Sequence, residues 1–285
     1  MSTALERPPV DALADACVDV RRTVMSQAAI SGSGHYGPSM SCVEILVSLY
    51  HGFLRYNPAD PLHVDRDKFV LSKGHACSAL YAVLAQVGYF PREELRTYTR
   101  LGSRFGDHPD MRKVPGIDFS SGALGHGLSI GLGMALGSRL SENGARTVVL
   151  LGDGELNEGQ IWEAAGYAGA RSVSNLLAIV DGNKVCVDGE VADVMDYEPV
   201  DAKFAAFGWN VERVEGHSLT SLLRAYDRFE ERRKAGSGPT VILADTVSGK
   251  GIDFIEGLAE WHIGYLGGVD VDRALASIRS TQVRS

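Results

Sequence analysis

The chain has only four cysteines, no apolar run long enough to cross a bilayer and fewer basic than acidic residues. Each scarcity removes a class of function. Cys17, Cys42, Cys77 and Cys186 form no CxxC pair and no repeating spacing. That argues against a zinc site and suits reduced thiols in the core of a cytoplasmic protein. The longest apolar stretches are broken by Gly, Ser or charge well short of the ~20 residues a membrane helix needs. With 28 Lys and Arg against 36 Asp and Glu, the net charge is −8, which argues against nucleic acid as a main partner. Residues 1–9 carry Glu6, Arg7 and two prolines without the apolar core of a signal peptide. They read as a flexible arm, and residues 10–285 as one domain.

What is present is ordinary globular material, 45% hydrophobic and 22% charged over 285 residues, enough for one large core. Helical spacing of apolar residues predicts helices over 11–29, 42–53, 125–140, 199–207, 219–233 and 271–278. Another opens at Gly74 and ends near Gly88, and a short one spans 91–98 with an acidic first turn. Compact β-branched and apolar runs predict buried strands at 67–72, 147–151, 176–180, 209–214 and 240–244. Residues 31–38, 101–121 and 246–264 read as loops. Alternating strands and helices predict the α/β class: a doubly wound, mainly parallel sheet with helices on both faces. Such sheets bind ligands beyond the carboxyl ends of their strands. Ser72-Lys73-Gly74-His75, Gly152-Asp153-Gly154, Asp181-Gly182-Asn183 and Val247-Ser248-Gly249-Lys250 all follow predicted strands. They should meet on one rim.

Two of those segments carry a specific chemistry. Asp153 and Asn183 bring one carboxylate and one amide oxygen to the same sheet edge. Mg2+ takes hard oxygen ligands, often a few from protein and the rest from phosphates. Gly152 and Gly154 let the backbone approach a diphosphate closely, and a helix starting near Glu158 points N–H groups toward it. The pattern predicts a Mg2+-diphosphate site. Three other motifs do not qualify. Gly127-Leu128-Ser129-Ile130-Gly131 fits GxSxG but lies inside a predicted helix. The glycines from Gly131 to Gly137 follow no strand, so they make no dinucleotide fingerprint. Gly249-Lys250-Gly251 lacks the Ser or Thr of a P-loop.

The run Gly152-Asp153-Gly154-Glu155-Leu156-Asn157-Glu158-Gly159, with Trp162-Glu163-Ala164-Ala165 and Asp181-Gly182-Asn183, resembles the thiamine diphosphate motif of transketolases. The likeness runs from about Ser31 to His262 through several separate motifs. It implies thiamine diphosphate and Mg2+ as cofactors, with Asp153, Asn183 and the Val185 carbonyl on the metal. It also implies cofactor contacts at His75, Gly122, Ala123, Leu124, Gly152, Gly154, Glu158 and His262. Ser33-Gly34-His35 resembles a loop whose histidine meets substrate hydroxyls. Gly106-Asp107-His108-Pro109 resembles one whose histidine faces the donor carbonyl, and Glu260-Trp261-His262 one near diphosphate and substrate. The implied catalytic residues are therefore His35, His108, His262 and Glu158. Imidazole suits such tasks because it donates, accepts or shuttles protons near pH 7. Glu158 and Glu163 match acidic positions that the family uses at a subunit interface. His126, where many relatives have Gln, has no assigned role. Pro38 replaces a Ser that some relatives place near the diphosphate. Ser248 replaces a cofactor-reaching Lys, with Lys250 as the nearby substitute. Ile263-Gly264-Tyr265-Leu266 also departs from the family continuation, so the departures concern the substrate side.

In this family a glutamate that activates the cofactor's pyrimidine ring belongs to a second domain, and the sequence ends soon after His262. The resemblance thus implies a split enzyme. A separate chain would supply the pyrimidine-binding domain in a two-fold heterotetramer, active only when both are present. The reaction implied is transfer of a two-carbon ketol unit from a ketose to an aldose, either of which is a sugar or a sugar phosphate. Two other readings stay open. One is a component of a deoxyxylulose-phosphate synthase-like or 2-oxo acid dehydrogenase-like enzyme. The other is a non-catalytic scaffold paralogue.

Overall fold

The computed structural model describes residues 7–282. Most of the predicted arm, residues 1–6, lies outside the described residues. Its described end is tied down, because Arg7 donates to the Gly52 carbonyl at 3.2 Å and to the Asp227 carboxylate at 2.8 and 3.1 Å.

In chain order the helices are α1 Val10–Ser31, α2 Tyr36–Ser41, α3 Val43–Gly52, α4 Cys77–Gln86, α5 His126–Leu140, α6 Gly159–Ala170, α7 Val191–Met195, α8 Val200–Ala206, α9 Leu219–Ala235 and α10 Gly268–Gln282. The strands are β1 Ser33–Gly34, β2 Lys68–Leu71, β3 Thr147–Gly152, β4 Leu176–Gly182, β5 Val185–Cys186, β6 Gly189–Glu190, β7 Asn210–Glu215, β8 Thr240–Asp245 and β9 Gly264–Tyr265. Five of them form one parallel sheet in the order β2-β3-β4-β8-β7. The fold class matches the sequence expectation.

Side chains alternate across each strand, and both faces are covered, which is why the strands read as unbroken apolar runs. Val148, Leu150, Leu177, Ile179 and Ile242 pack with α1, α3, α4, α9 and α10. Val149, Leu151, Leu176, Ala178, Val241 and Leu243 pack with α5, α6 and α8. Helix α5 sits hard against the sheet because it is rich in glycine. A Cβ on Gly131 would lie 2.3 Å from Val149, and one on Gly127 would lie 2.2 Å from the Ser72 hydroxyl. The GxSxG match is confirmed as helix interior. The ends of α9 follow capping rules. The Ser218 hydroxyl accepts from the Ser221 N–H at 3.3 Å, Gly236 takes a left-handed conformation, and three basic residues occupy the last turn.

The sequence reading misses short elements. Residues 31–38, expected as loop, include β1 and the start of α2. All six residues of α2 are buried, so it shows no amphipathic period to read. The expected loop 246–264 contains a helical turn, Ala259–Trp261, and ends on β9. β1 pairs antiparallel with β9, placing Gly34 opposite Gly264. That small ribbon joins two segments more than two hundred residues apart.

Candidate active site

Four loops deliver imidazoles to one end of the sheet. The β1–β9 ribbon brings His35 and His262 together; their ring centroids lie 6.0 Å apart. The helical turn Gly74–Ala76 after β2 adds His75, 5.1 Å from His35 and 5.2 Å from His262. The long loop before α5 adds His108, 6.1 Å from His35. His108 is exposed, whereas His35, His75 and His262 are half-buried. His126 stands apart, exposed at the first position of α5.

The carboxylate and amide sit beside this cluster, at the ends of β3 and β4. Asp153 is buried, and its two oxygens accept from the N–H groups of Gly154, at 2.8 Å, and Lys184. Asn183 is also buried; its Oδ1 accepts from the Val185 N–H at 3.0 Å. The β5–β6 hairpin presents Val185, whose backbone carbonyl is met by the His262 imidazole. Every carboxylate or amide oxygen here keeps lone-pair capacity beyond its backbone contact. One carboxylate, one amide oxygen and one carbonyl are a hard donor set that leaves room for phosphate oxygens, as Mg2+ prefers. Among the described residues no cluster of three or more His, Cys, Asp or Glu could hold a metal; the triad uses a single carboxylate.

Beneath lies a network built on Asp181, Lys73 and Glu155, residues quoted in the sequence motifs but given no role there. Asp181 is fully buried and pairs with the Lys73 ammonium. It also accepts from Ser41 and Thr246, each at 2.5 Å, and from the Asn183 amide at 3.2 Å. Lys73 donates a further bond to the Pro38 carbonyl at 3.1 Å. Pro38 is thus part of the floor through its backbone. Glu155, also buried, accepts from the Ser72 hydroxyl, the Gly125 N–H at 2.7 Å and the Gly152 N–H at 3.0 Å. It fixes the start of α5 to the end of β3.

Burial sets the charge states. Desolvation, with Lys73 and the other imidazoles nearby, drives His75 well below the ordinary histidine range. His262 falls to about 4, again mainly through burial and then through Lys73. Burial also lowers His108, against the pull of Asp107. These three imidazoles are neutral at pH 7. Asp153 moves the other way, up to about 6, because it is desolvated and close to Asp181. A divalent cation would offset both causes.

The glycine-rich segment Gly122-Ala123-Leu124 runs over the same rim. A Cβ on Gly74 would lie 2.6 Å from the Ser121 hydroxyl and 2.9 Å from its backbone carbonyl carbon, so only glycine lets this segment pass. Gly122 approaches the His108 ring, with a Cβ contact distance of 3.5 Å. Buried polar atoms around the cluster lack hydrogen-bond partners, among them Ser121 Oγ, Ser248 Oγ, His35 Nδ1 and His262 Nδ1. Buried polar groups are normally paired. Their gathering at one rim, beside Asp153 and glycines that a Cβ would block, fits a polyanionic cofactor.

One expectation changes. Lys250 does not replace the lysine missing at Ser248: its ammonium lies 3.5 Å from Glu256, and its carbonyl accepts from Arg21 at 2.9 Å. It lines a different cavity, with Arg21, Glu44 and His217. The buried lysine near the cluster is Lys73, in the floor beneath it. Glu158 and Glu163 are both exposed, Glu158 as the residue preceding α6. Both lie outside the imidazole cluster, and Glu158 adjoins Gly125 at the end of the glycine-rich loop; exposure in this chain is compatible with the interface position expected of them.

The comparisons with known proteins follow this geometry. The family model described as transketolase, thiamine diphosphate binding domain, matches residues 14–278. The 6-deoxy-6-sulfo-D-fructose transketolase subunit SqwG of Clostridium sp. (strain MSTE9) is 40% identical over 243 residues, covering 85% of this chain and 87% of that protein. An apulose-4-phosphate transketolase subunit of Actinobacillus succinogenes is 38% identical, covering 91% of this chain and 92% of that one. A transketolase of Pichia stipitis superposes with a TM-score of 0.85 at 29% identity. There the match covers 95% of this chain but 43% of the solved one. The chain thus spans less than half of the solved transketolase and nearly all of the two separate subunits.

Proposed function

The chain belongs to the transketolase family, through its thiamine diphosphate binding domain, and from that premise we propose that it is the diphosphate- and Mg2+-binding subunit of a two-component transketolase. The observation that carries this reading is the convergence of four imidazoles beside the Asp153, Asn183 and Val185 oxygens. Asp153, Asn183 and the Val185 carbonyl would hold Mg2+. His75, Ser121, the Gly122-Ala123-Leu124 backbone and His262 would meet the cofactor. Thiamine diphosphate, when bound, supplies an electron sink for a carbanion.

This chain's residues supply orientation and proton handling. Neutral His75 and His262 can each donate through one ring nitrogen and accept through the other. His35 and His108, nearer the mouth, are placed to hold donor hydroxyls and move their protons. Asp181 and Lys73 do not face substrate; they keep Asn183 and the Pro38 backbone in register. Glu158 and Glu163 belong to an interface in this reading.

Two relatives of matching length are named as transketolase subunits. That supports a separate partner chain carrying the pyrimidine-binding domain, and a heterotetramer of the two. The sugars in those two names carry a sulfo or a phosphate group, which supports ketoses with an anionic end as donors. Among the described residues no helix is long and apolar enough to cross a membrane, and the four cysteines are free. The free cysteines favour a reducing, cytoplasmic setting.

The test is ketol transfer from xylulose 5-phosphate, with Mg2+ and thiamine diphosphate. It is run on this chain alone and on the chain co-expressed with the protein encoded beside it. Activity confined to the mixture is expected. Turnover by the pure chain would sink the split-site reading. The metal assignment has its own readout. Thiamine diphosphate at a hundredfold excess over its Kd should stabilise the complex by about 2.7 kcal/mol. EDTA or Asp153→Asn should abolish that shift.

A further inference from the structure

One residue at the mouth has no role in the resemblance. Asp107 sits between Gly106 and His108, and its Oδ2 lies 3.2 Å from His35 Nδ1. Its other oxygen accepts from the Tyr98 hydroxyl at 2.7 Å. Tyr98 is buried and packs edge-on against Tyr81 at 6.3 Å, so the carboxylate is braced from behind. The contact to His35 is within ion-pair distance, although its angle falls outside hydrogen-bond alignment; Nδ1 is buried and has no hydrogen bond to any other group. Catalytic hydrogen bonds are often misaligned until substrate is in place.

The rest of the surroundings offer Nδ1 no alternative. The rings of His75, His108 and His262 stand at centroid distances of 5.1, 6.1 and 6.0 Å. The Lys73 ammonium is committed to Asp181 and Pro38. Burial pushes the Asp107 carboxyl up, but His35 and the Tyr98 hydroxyl hold it below the ordinary carboxylate range. It is therefore an acceptor at neutral pH.

Which ring nitrogen of a histidine carries the proton is set by the partner of the other. Building on the transketolase reading, we infer that Asp107 is a positioning residue: it holds the His35 proton on Nδ1 and so leaves Nε2 free to accept from a substrate hydroxyl. Sugars present hydroxyl donors, and a fixed acceptor at the mouth would orient them. The other tautomer would turn an N–H toward those hydroxyls. His35 touches substrate in this scheme, and Asp107 acts through it.

The experiment uses the full chain labelled with 15N histidine, in complex with its partner subunit. Long-range 1H–15N spectra report the tautomer of each neutral imidazole, and His35→Asn identifies the His35 signals. The wild type should show His35 protonated at Nδ1. Asp107→Ala should shift it to Nε2–H, whereas Asp107→Asn should retain Nδ1–H, because its amide oxygen still accepts. Nε2–H in the wild type, or an unchanged tautomer in Asp107→Ala, would overturn the inference. In the ketol-transfer assay, Asp107→Ala should lower kcat by about tenfold or more, with cofactor affinity unchanged and most of the loss restored in Asp107→Asn. Unchanged kcat in Asp107→Ala would overturn the positioning role. A tautomer shift in a complex that transfers no ketol unit would retain the dyad and overturn the reaction reading.

Discussion

Around Asp181 four side chains of this chain converge on one carboxylate, all of them buried. Around His35 and His262, a few ångströms toward solvent, ring nitrogens remain without hydrogen-bond partners. The first region is completed by the fold itself. The second is shaped by the fold but completed by what binds there. The contrast teaches where mutation should be felt as lost stability and where as lost chemistry.

The largest expected effect is on the floor. Asp181→Ala leaves the Lys73 ammonium buried and unpaired, which should cost about 3–5 kcal/mol, measured by urea denaturation. A loss below about 1 kcal/mol would mean the floor tolerates an open charge, and the contrast would fail.

Next comes an ion network behind the floor. Glu44 accepts from Arg21 at 2.7 and 2.9 Å and contacts His217 Nδ1 at 2.9 Å. His217 Nε2 in turn accepts from the Val247 N–H at 2.8 Å. Burial pushes the Glu44 carboxyl up, but Arg21 and His217 outweigh it and hold it at about 2. A carboxyl lowered on folding gives stability that is full above its unfolded value of 4.5 and is lost as pH falls to about 2. Wild type should exceed Glu44→Gln by about 3 kcal/mol at pH 7. The two should converge between pH 4.5 and 2 in denaturant titrations.

Gly127→Ala should cost about 1–3 kcal/mol, because its methyl would meet Ser72 and loosen the Glu155 tie. Its Tm should fall while that of Gly133→Ala does not, since a Cβ there meets nothing within 4 Å.

The smallest effect on folding belongs to the mouth. His108→Asn should stay within about 0.5 kcal/mol of wild type, yet lower kcat/KM by about 100-fold. A stability loss as large as that of Asp181→Ala would erase the distinction between the two regions.

Part of the site was legible because it follows strands. Asp153 and Asn183 each close an apolar run, and position at a strand end is local information. His75 is readable for the same reason. The meeting of His35 with His262 is not, because it depends on β1 pairing with β9, two residues each, too short for any period. Lys73 and Asp181 were visible inside their motifs, but their pairing needs the sheet order to bring β2 and β4 to either side of β3. His217 lay in an unremarked turn before α9, and only the fold shows that it faces Glu44. Asp107 was quoted within its loop, and nothing in the sequence pointed it at His35.

The strand order also governs how the chain is made. β8 is the last of the five sheet strands to be synthesised, yet it lies between β4 and β7. On a translating ribosome, β4 therefore waits with one edge uncovered while the later residues are added at roughly 5–20 per second. An open edge is a template for pairing with a neighbouring chain. Thr246, which completes the ring of donors around Asp181, follows directly after β8. Closing that edge and finishing the buried floor are thus one event, which waits for the last sheet strand. Crowded polysomes are where this topology is most exposed to error.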